Sequence, residues 1–144
     1  MISRLLRTAF TLGLSIFLAA CSQPAVQPPG PEALLEAIPP ADSAQYDRIQ
    51  DMKKWRNPYL IVRADGVALL DAADNAEIAV KPEEVIAELA RLPVSNWPYG
   101  RVVAAAESGV RASEQDGVAI RRNKGIIGGL LQGAHVAVKW VPSA

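Results

Sequence analysis

The first twenty residues set the strongest limit on what this chain can fold into. Arg4 and Arg7 form a short positive segment, and residues 8–20 carry no charge and are rich in Leu, Ile, Phe and Ala. A helix needs about 20 apolar residues to span a bilayer, so this shorter run has the length of the hydrophobic region of a secretory signal peptide. The sequence predicts a signal peptide over residues 1–20, which leaves room for one small domain.

The apolar run ends in Leu18-Ala19-Ala20-Cys21, which resembles the lipobox of bacterial lipoproteins. The resemblance implies cleavage before Cys21, attachment of a diacylglyceryl group to its thiol and, in Gram-negative species, a third acyl chain on the freed amine. Two or three acyl chains make a stable membrane anchor. Ser22 follows the cysteine, and in this family a residue other than Asp there favours the outer membrane over the inner membrane. An ordinary cleavage site with an accidental cysteine is the competing interpretation.

Composition excludes several classes of function. Without residues 1–20 the chain has 13 basic and 15 acidic residues, a balance of −2 that provides no basic surface for nucleic acid. Cys21 is the only cysteine, so no disulfide can form within the chain. His135 is the only histidine, and zinc sites use several His or Cys ligands. We therefore expect neither a metal nor a cofactor.

The residues after Cys21 are rich in proline. Pro24, Pro28, Pro29, Pro31, Pro39 and Pro40 favour extended conformations, with at most two short helical turns over 32–38. We interpret residues 21–41 as a tether that lifts the folded part off the membrane. Residues 42–57 are interpreted as a linking helix over 43–55, with Asp42-Ser43 as its N-cap and Asn57-Pro58 as its end.

Residues 58–144 show the pattern of a small α+β domain. Ala64-Asp65-Gly66 lies between two apolar runs and predicts a hairpin, and Pro82-Glu83-Glu84 predicts a helix start. The order is strand, strand, helix, strand, helix, strand, which is a two-layer sandwich. The predicted strands are 59–63, 67–70, 101–107 and 136–141, with a possible short one at 77–80, and the predicted helices are 82–92 and about 118–134.

This order of elements, with the Ala64-Asp65-Gly66 hairpin, resembles the periplasmic domain of the ExbD/TolR family in topology. In that family the domain follows one transmembrane helix and works with a proton-driven motor. This sequence has no retained transmembrane helix and no membrane-embedded Asp. The resemblance therefore implies a shared fold and binding to a periplasmic protein or peptide, but not coupling to a motor.

The second predicted helix carries three glycines at four-residue spacing, Gly125, Gly129 and Gly133. A glycine in a helix interior costs about 1 kcal/mol relative to alanine, so the stripe calls for an explanation. Close approach of another backbone is one possibility. Tight packing of the helix on its own sheet, or a break in the helix at Gly128-Gly129, is the simpler explanation, and we favour it.

The segment 97–101 is the clearest candidate for partner binding. Trp97, Tyr99 and Arg101 are residue types enriched at binding hot spots, and Pro98 makes their loop rigid. The competing interpretation, slightly favoured, is that Trp97 and Tyr99 turn inward and cap a core that is short of aromatic residues. Trp140, on an alternating strand, is expected in the core for the same reason.

Other polar groups indicate structure more than chemistry. Asp71, Asp74 and Asn75 lack calcium-loop spacing and are interpreted as turn formers. His135 is expected to be structural or exposed. Solvated helix faces are the simplest interpretation of two charged clusters, Glu83, Glu84 and Glu88, and Arg121, Arg122 and Lys124.

The leading hypothesis is a non-enzymatic, lipid-anchored envelope protein that binds another envelope component through its domain. One alternative is a periplasmic small-ligand binder or small enzyme that uses carboxylates such as Glu107 and Asp116. Another is an accessory of a TonB- or Tol-like system, which rests on the fold analogy alone.

Overall fold

The computed structural model describes residues 24–111 and 113–143, so the predicted signal peptide and Cys21 lie outside the described part of the chain. The described residues form an α+β domain around a mixed five-stranded sheet, which confirms the predicted class. The helices are α1 (Pro31–Glu36), α2 (Ser43–Tyr46), α3 (Val85–Arg91) and α4 (Glu114–Gly133), and the strands are β1 (Tyr59–Arg63), β2 (Gly66–Leu70), β3 (Glu77–Val80), β4 (Val102–Glu107) and β5 (Ala137–Trp140).

The strand order is β3-β2-β1-β4-β5. β1, β2 and β3 form an antiparallel meander, whereas β4 is parallel to β1 and β5 is parallel to β4. The predicted hairpin is confirmed: Arg63 pairs with Gly66 across a two-residue turn. The possible strand at 77–80 is also present, and it forms one edge of the sheet.

One face of the sheet carries the main core. Alternate side chains of β1 and β4, such as Leu60, Val62 and Val103, pack against apolar residues of α3 and α4. In α3 the buried residues are Val85, Ile86 and Leu89, which share one face of the helix. α3, which precedes β4, and α4, which joins β4 to β5, both lie on this face.

α4 begins four residues before its predicted start. Ser113 caps it, since its hydroxyl oxygen accepts a hydrogen bond from the backbone N–H of Asp116 at 3.3 Å. Ile120, Ile127 and Leu131 are fully buried beneath it. The glycines of its second half do not pack on the sheet: a Cβ atom added at Gly125, Gly128, Gly129 or Gly133 would meet nothing within 4 Å. The tight-packing interpretation is therefore wrong, and the stripe of Gly125, Gly129 and Gly133 lies on the exposed side.

The predicted tether also needs correction. Leu35 of α1 is 0% exposed and Ile38 is 3% exposed, and both belong to the main core. α1 packs against α3, and Pro40 then forms a parallel bridge with Arg101 at the start of β4. The chain thus joins the domain at Pro31 rather than after residue 57. Leu35 on the helix and Ile38 just after it are the apolar residues that attach this segment to the core.

Gly100 allows this close approach of the N-terminal segment. Its φ is +77°, a backbone conformation that L-residues rarely adopt, and a Cβ atom there would collide with the carbonyl oxygen of Pro40. The N–H of Arg101 donates to the carbonyl oxygen of Pro39 at 2.8 Å. Glycine is required at this position because both the torsion angle and the space exclude a side chain.

The predicted linking helix over 43–55 is wrong as one continuous element. Asp42 does act as an N-cap, accepting from the N–H of Ala44 at 3.2 Å, but α2 ends at Tyr46. Asp51 then caps a separate 3₁₀ turn at Met52–Lys54, because its carboxylate accepts from the N–H of Lys53. This irregular segment covers part of the second face of the sheet. Within residues 24–111 and 113–143, no helix has the length and apolar character needed to cross a membrane.

Candidate functional site

The predicted binding loop is mostly turned inward. Trp97 is 3% exposed and belongs to the main core, so its ring cannot reach a partner. A 3₁₀ turn at Val94–Asn96 directs it there, and its Nε1 atom is buried without a hydrogen-bond partner. The interpretation of Trp97 as an exposed contact is therefore wrong. The core is short of aromatic residues, and burying the indole contributes more than displaying it.

Tyr99 and Arg101 are also engaged within the domain. The Tyr99 ring lies 5.2 Å from the Trp55 ring, between ring centroids, and its hydroxyl donates to the carbonyl oxygen of Lys54 at 3.2 Å. Arg101 is half-buried, and its Nε atom is buried without a hydrogen-bond partner. The three proposed contact residues therefore do not form one exposed surface.

Asn57 joins this loop to the segment before β1. Its Nδ2 donates to the carbonyl oxygens of Gly100 and Val102, both at 2.7 Å, and its Oδ1 accepts from the N–H of Tyr99 at 3.0 Å. The parallel ladder supplies the reason. Between β1 and β4, the N–H of Ala104 donates to the Pro58 carbonyl. The next hydrogen bond of the ladder would run from an N–H of residue 58 to the Val102 carbonyl, and proline lacks that N–H. The amide of Asn57 takes that place.

Three aromatic rings stack over the second face of the sheet. Trp55 is buried, its Nε1 donates to the Pro58 carbonyl at 3.1 Å, and its ring meets Tyr46 edge-on with centroids 5.9 Å apart. Lys139 secures the outer ring by donating to the Tyr46 carbonyl at 2.8 Å. Burial, and then the charges of Asp47 and Asp42, raise the pKa of Tyr46. These contacts hold residues 46–57 in a fixed position despite their irregular backbone.

A cleft of about 130 Å³ opens beside the aromatic cluster, between residues 52–57 and the loop that joins β2 to β3. Burial raises the pKa of Tyr59, which lies in its wall. Because Met52, Tyr59 and Leu70 are half-buried, the cleft leaves apolar surface partly open to solvent. We call this feature the 52–75 cleft; it is lined by Met52, Lys53, Trp55, Arg56, Asn57, Tyr59, Leu70, Asp71, Ala72 and Asn75.

The loop on the far side of the cleft is held by its own side chains. Asp71 Oδ1 accepts from the N–H of Ala73 at 2.9 Å, and both Asp71 oxygens lie 2.8 Å from the donating Nδ2 of Asn96. Asp74 accepts from the N–H of Ala76 at 2.8 Å. The interpretation of Asp71 and Asp74 as turn formers is confirmed. Among residues 24–111 and 113–143, no group of three or more His, Cys, Asp or Glu side chains could hold a metal ion.

The near side of the cleft carries unpaired positive charge. Lys53, Lys54 and Arg56 are exposed, and none of them forms an ion pair with another described residue. Arg56 Nη1 donates only to the carbonyl oxygen of Lys53, at 3.4 Å. Elsewhere several cations are neutralised, for example Arg63 by Glu77 at 2.7 Å. The three side chains are therefore free to contact an anionic group.

Glu107, a candidate acid of the enzyme hypothesis, is held as a carboxylate. Lys124 donates to its Oε1 at 2.8 Å and Arg111 to its Oε2 at 3.2 Å. The hydrogen bond from Lys124, aided by the charges of Lys124, Arg111 and Arg121, lowers the pKa of Glu107 against the opposing effect of burial. A general acid needs a raised pKa. Asp116, the second candidate, lies in the first turn of α4 and forms interactions of its own.

Trp140 and His135 lie outside the lining of the 52–75 cleft. Trp140 lies on the edge strand β5 and is 41% exposed, so the expectation of a core position is wrong. The ammonium of Lys124 lies 4.5 Å from the centroid of the Trp140 ring. His135 is exposed at the junction of α4 and β5, as expected, with a φ of +55° and its Nδ1 3.8 Å from Glu36 Oε1.

The chain matches no protein-family model and shows no significant similarity to any curated protein or solved structure.

Proposed function

We propose that this chain is a lipid-anchored protein of the bacterial envelope whose α+β domain is a non-enzymatic binding module. The observation that carries the binding role is the 52–75 cleft with two unpaired cations in its lining, Lys53 and Arg56, and the exposed Lys54 between them in sequence. Met, Tyr and Arg are residue types enriched at protein interfaces, and here partly open apolar surface lies beside unneutralised charge. A bound partner would cover the first and pair the second.

The geometry of attachment supports a membrane-proximal role. If Cys21 carries the lipid, nine residues, 22–30, separate it from Pro31, where the chain joins the domain. An extended chain spans at most ~3.6 Å per residue, so the domain would stay within about 35 Å of the membrane surface. The partner of such a module lies in the same membrane or in the layer next to it.

A small-ligand role is the second candidate, and the cleft is also the observation that favours it. Its volume of about 130 Å³ is below the 300–1,000 Å³ typical of pockets for drug-sized ligands. A ligand there would be small and would leave much of its surface in water. We therefore rank the binding of a macromolecule first.

Both halves of the proposal are tested in cells that produce the tagged protein. Intact-mass analysis of the purified wild type should show cleavage before Cys21 and added acyl chains, and Cys21→Ser should move the protein out of the membrane fraction. Cross-linking in intact cells should then join the wild type to one dominant envelope component. An unlipidated protein would refute the anchor, and a wild type that cross-links to nothing would refute the binding module.

A further inference from the structure

The size of the 52–75 cleft limits what can enter it. A volume of about 130 Å³ is close to the ~150 Å³ of an engineered protein cavity that binds one benzene molecule. It holds one medium-sized side chain and is too small for a cofactor or a sugar chain. The group that enters should therefore be a single residue of a partner.

Part of the cleft wall is apolar and suits an apolar group. Met52, Tyr59 and Leu70 contribute half-buried surface, and the Met52 thioether can adjust to groups of different shape. Asn57 lines the same space, but both N–H donors of its amide are used by Gly100 and Val102, its oxygen accepts from Tyr99, and the side chain is fully buried. It therefore offers no free hydrogen bond to a polar side chain.

The charges on the rim select the residues next to that apolar group. Lys53 and Arg56 line the near side, and the stretch 51–56 carries three cations, these two and Lys54, against one carboxylate, Asp51. Arg56 can bind a carboxylate through two N–H groups. Asp71 is the carboxylate on the opposite wall, but its oxygens already accept from Asn96 and Ala73. The field on the near side is positive, so a neighbouring acidic residue is attracted and a basic one is repelled.

We propose that the 52–75 cleft binds an acidic peptide segment of a partner protein, with one apolar side chain in the cleft and flanking carboxylates on Lys53, Lys54 and Arg56. This inference rests on the proposed binding function and specifies its partner. An anionic lipid surface is the competing class. A cleft for a single side chain favours the peptide, because a membrane contact made by three lysine and arginine side chains needs no cleft.

The test uses the mature lipoprotein in a non-ionic detergent and three labelled peptides, read by fluorescence anisotropy. The first peptide has the core Glu-Leu-Asp, the second Glu-Ser-Asp and the third Lys-Leu-Lys, with identical flanks. The first should bind about tenfold or more tightly than either of the others, since one buried leucine and two exposed ion pairs each contribute on that scale. Equal binding of all three peptides would overturn the inference.

Two variants and a matched control locate the contact. Lys53→Glu combined with Arg56→Glu should weaken the first peptide about tenfold or more and favour the third, and Ala72→Phe should block the cleft. Arg121→Glu combined with Arg122→Glu makes the same charge change on the exposed face of α4 and should have no effect. Lys53 and Arg56 are exposed, so that double variant should keep the unfolding temperature of the wild type.

The same variants separate this inference from the proposed function. If a partner is cross-linked in cells and the Lys53/Arg56 variant still captures it, the peptide site is wrong but the binding module remains. Vesicles of phosphatidylglycerol that bind the wild type, but not the Lys53/Arg56 variant, while the three peptides bind equally, would assign the patch to lipid and overturn the inference.

Discussion

Replacing Asn57 by alanine should remove the contact that holds the irregular 42–57 segment on the sheet. The variant loses three hydrogen bonds of 2.7 to 3.0 Å. The carbonyl oxygen of Gly100 keeps the bond from the N–H of Val102. The carbonyl oxygen of Val102 loses the donor that replaces the missing N–H of Pro58, and the N–H of Tyr99 loses its acceptor.

Two backbone groups left without these partners cost about 1–3 kcal/mol each. Asn57 is fully buried, so water cannot easily replace its amide. The expected loss in the free energy of unfolding is about 3 kcal/mol, and at ~4 °C per kcal/mol for a domain of this size the unfolding temperature should fall by about 12 °C.

Guanidinium denaturation and a thermal melt of the mature protein measure this loss. Gln132→Ala, an exposed change on α4, serves as the control and should stay within about 0.5 kcal/mol of the wild type. A loss below about 1 kcal/mol for Asn57→Ala would show that the segment is held mainly by its aromatic contacts, and the argument from the parallel ladder would then be wrong.

Three further changes test other parts of the structure. Trp97→Ala should lower the free energy of unfolding by about 3–5 kcal/mol in a denaturant titration, because it empties a core position. An unchanged free energy of unfolding would show that Trp97 is not a core residue. Gly129→Ala should raise it by about 0.5–1 kcal/mol, since the added methyl group meets open space; a loss of stability would indicate a hidden contact. Glu107→Gln should lower the free energy of unfolding near neutral pH. In a pH series, the difference from the wild type should shrink as the pH falls through the depressed folded-state pKa of Glu107, because a carboxylate with a lowered folded pKa stabilises only while it is ionised. A difference that is constant with pH would refute the role of its charge.

The elements of the sheet could be predicted because their signals are local. The run at 59–63, the Asp65-Gly66 turn and the alternation at 136–141 depend on residues close in sequence, and the structure reproduces them within a residue or two. α4 starts earlier than predicted because Ser113 provides a cap. The glycines and charges of the helix obscure where its apolar stripe begins.

The site could not be predicted because it depends on contacts between distant residues. Whether the Trp97 side chain points inward depends on how much of the core the other residues leave unfilled. A short stretch of sequence does not show this. The packing of Leu35 and Ile38 depends on an opening beside α3. One signal was available: in Asn57-Pro58 a proline begins a strand where an N–H is needed, and an amide precedes it. The 52–75 cleft forms only where that segment meets the loop after β2.

Gly100 and the exposed glycines of α4 should differ in how strictly they are conserved in evolution. Gly100 combines a positive φ with a site closed by the Pro40 carbonyl, so nearly every substitution there would be removed by selection, whatever the protein binds. Gly125, Gly129 and Gly133 lie in open helical positions, where a change to alanine improves the fold. If lineages nevertheless retain these three glycines, selection is acting on something other than stability, and the exposed face of α4 would then be under a second constraint.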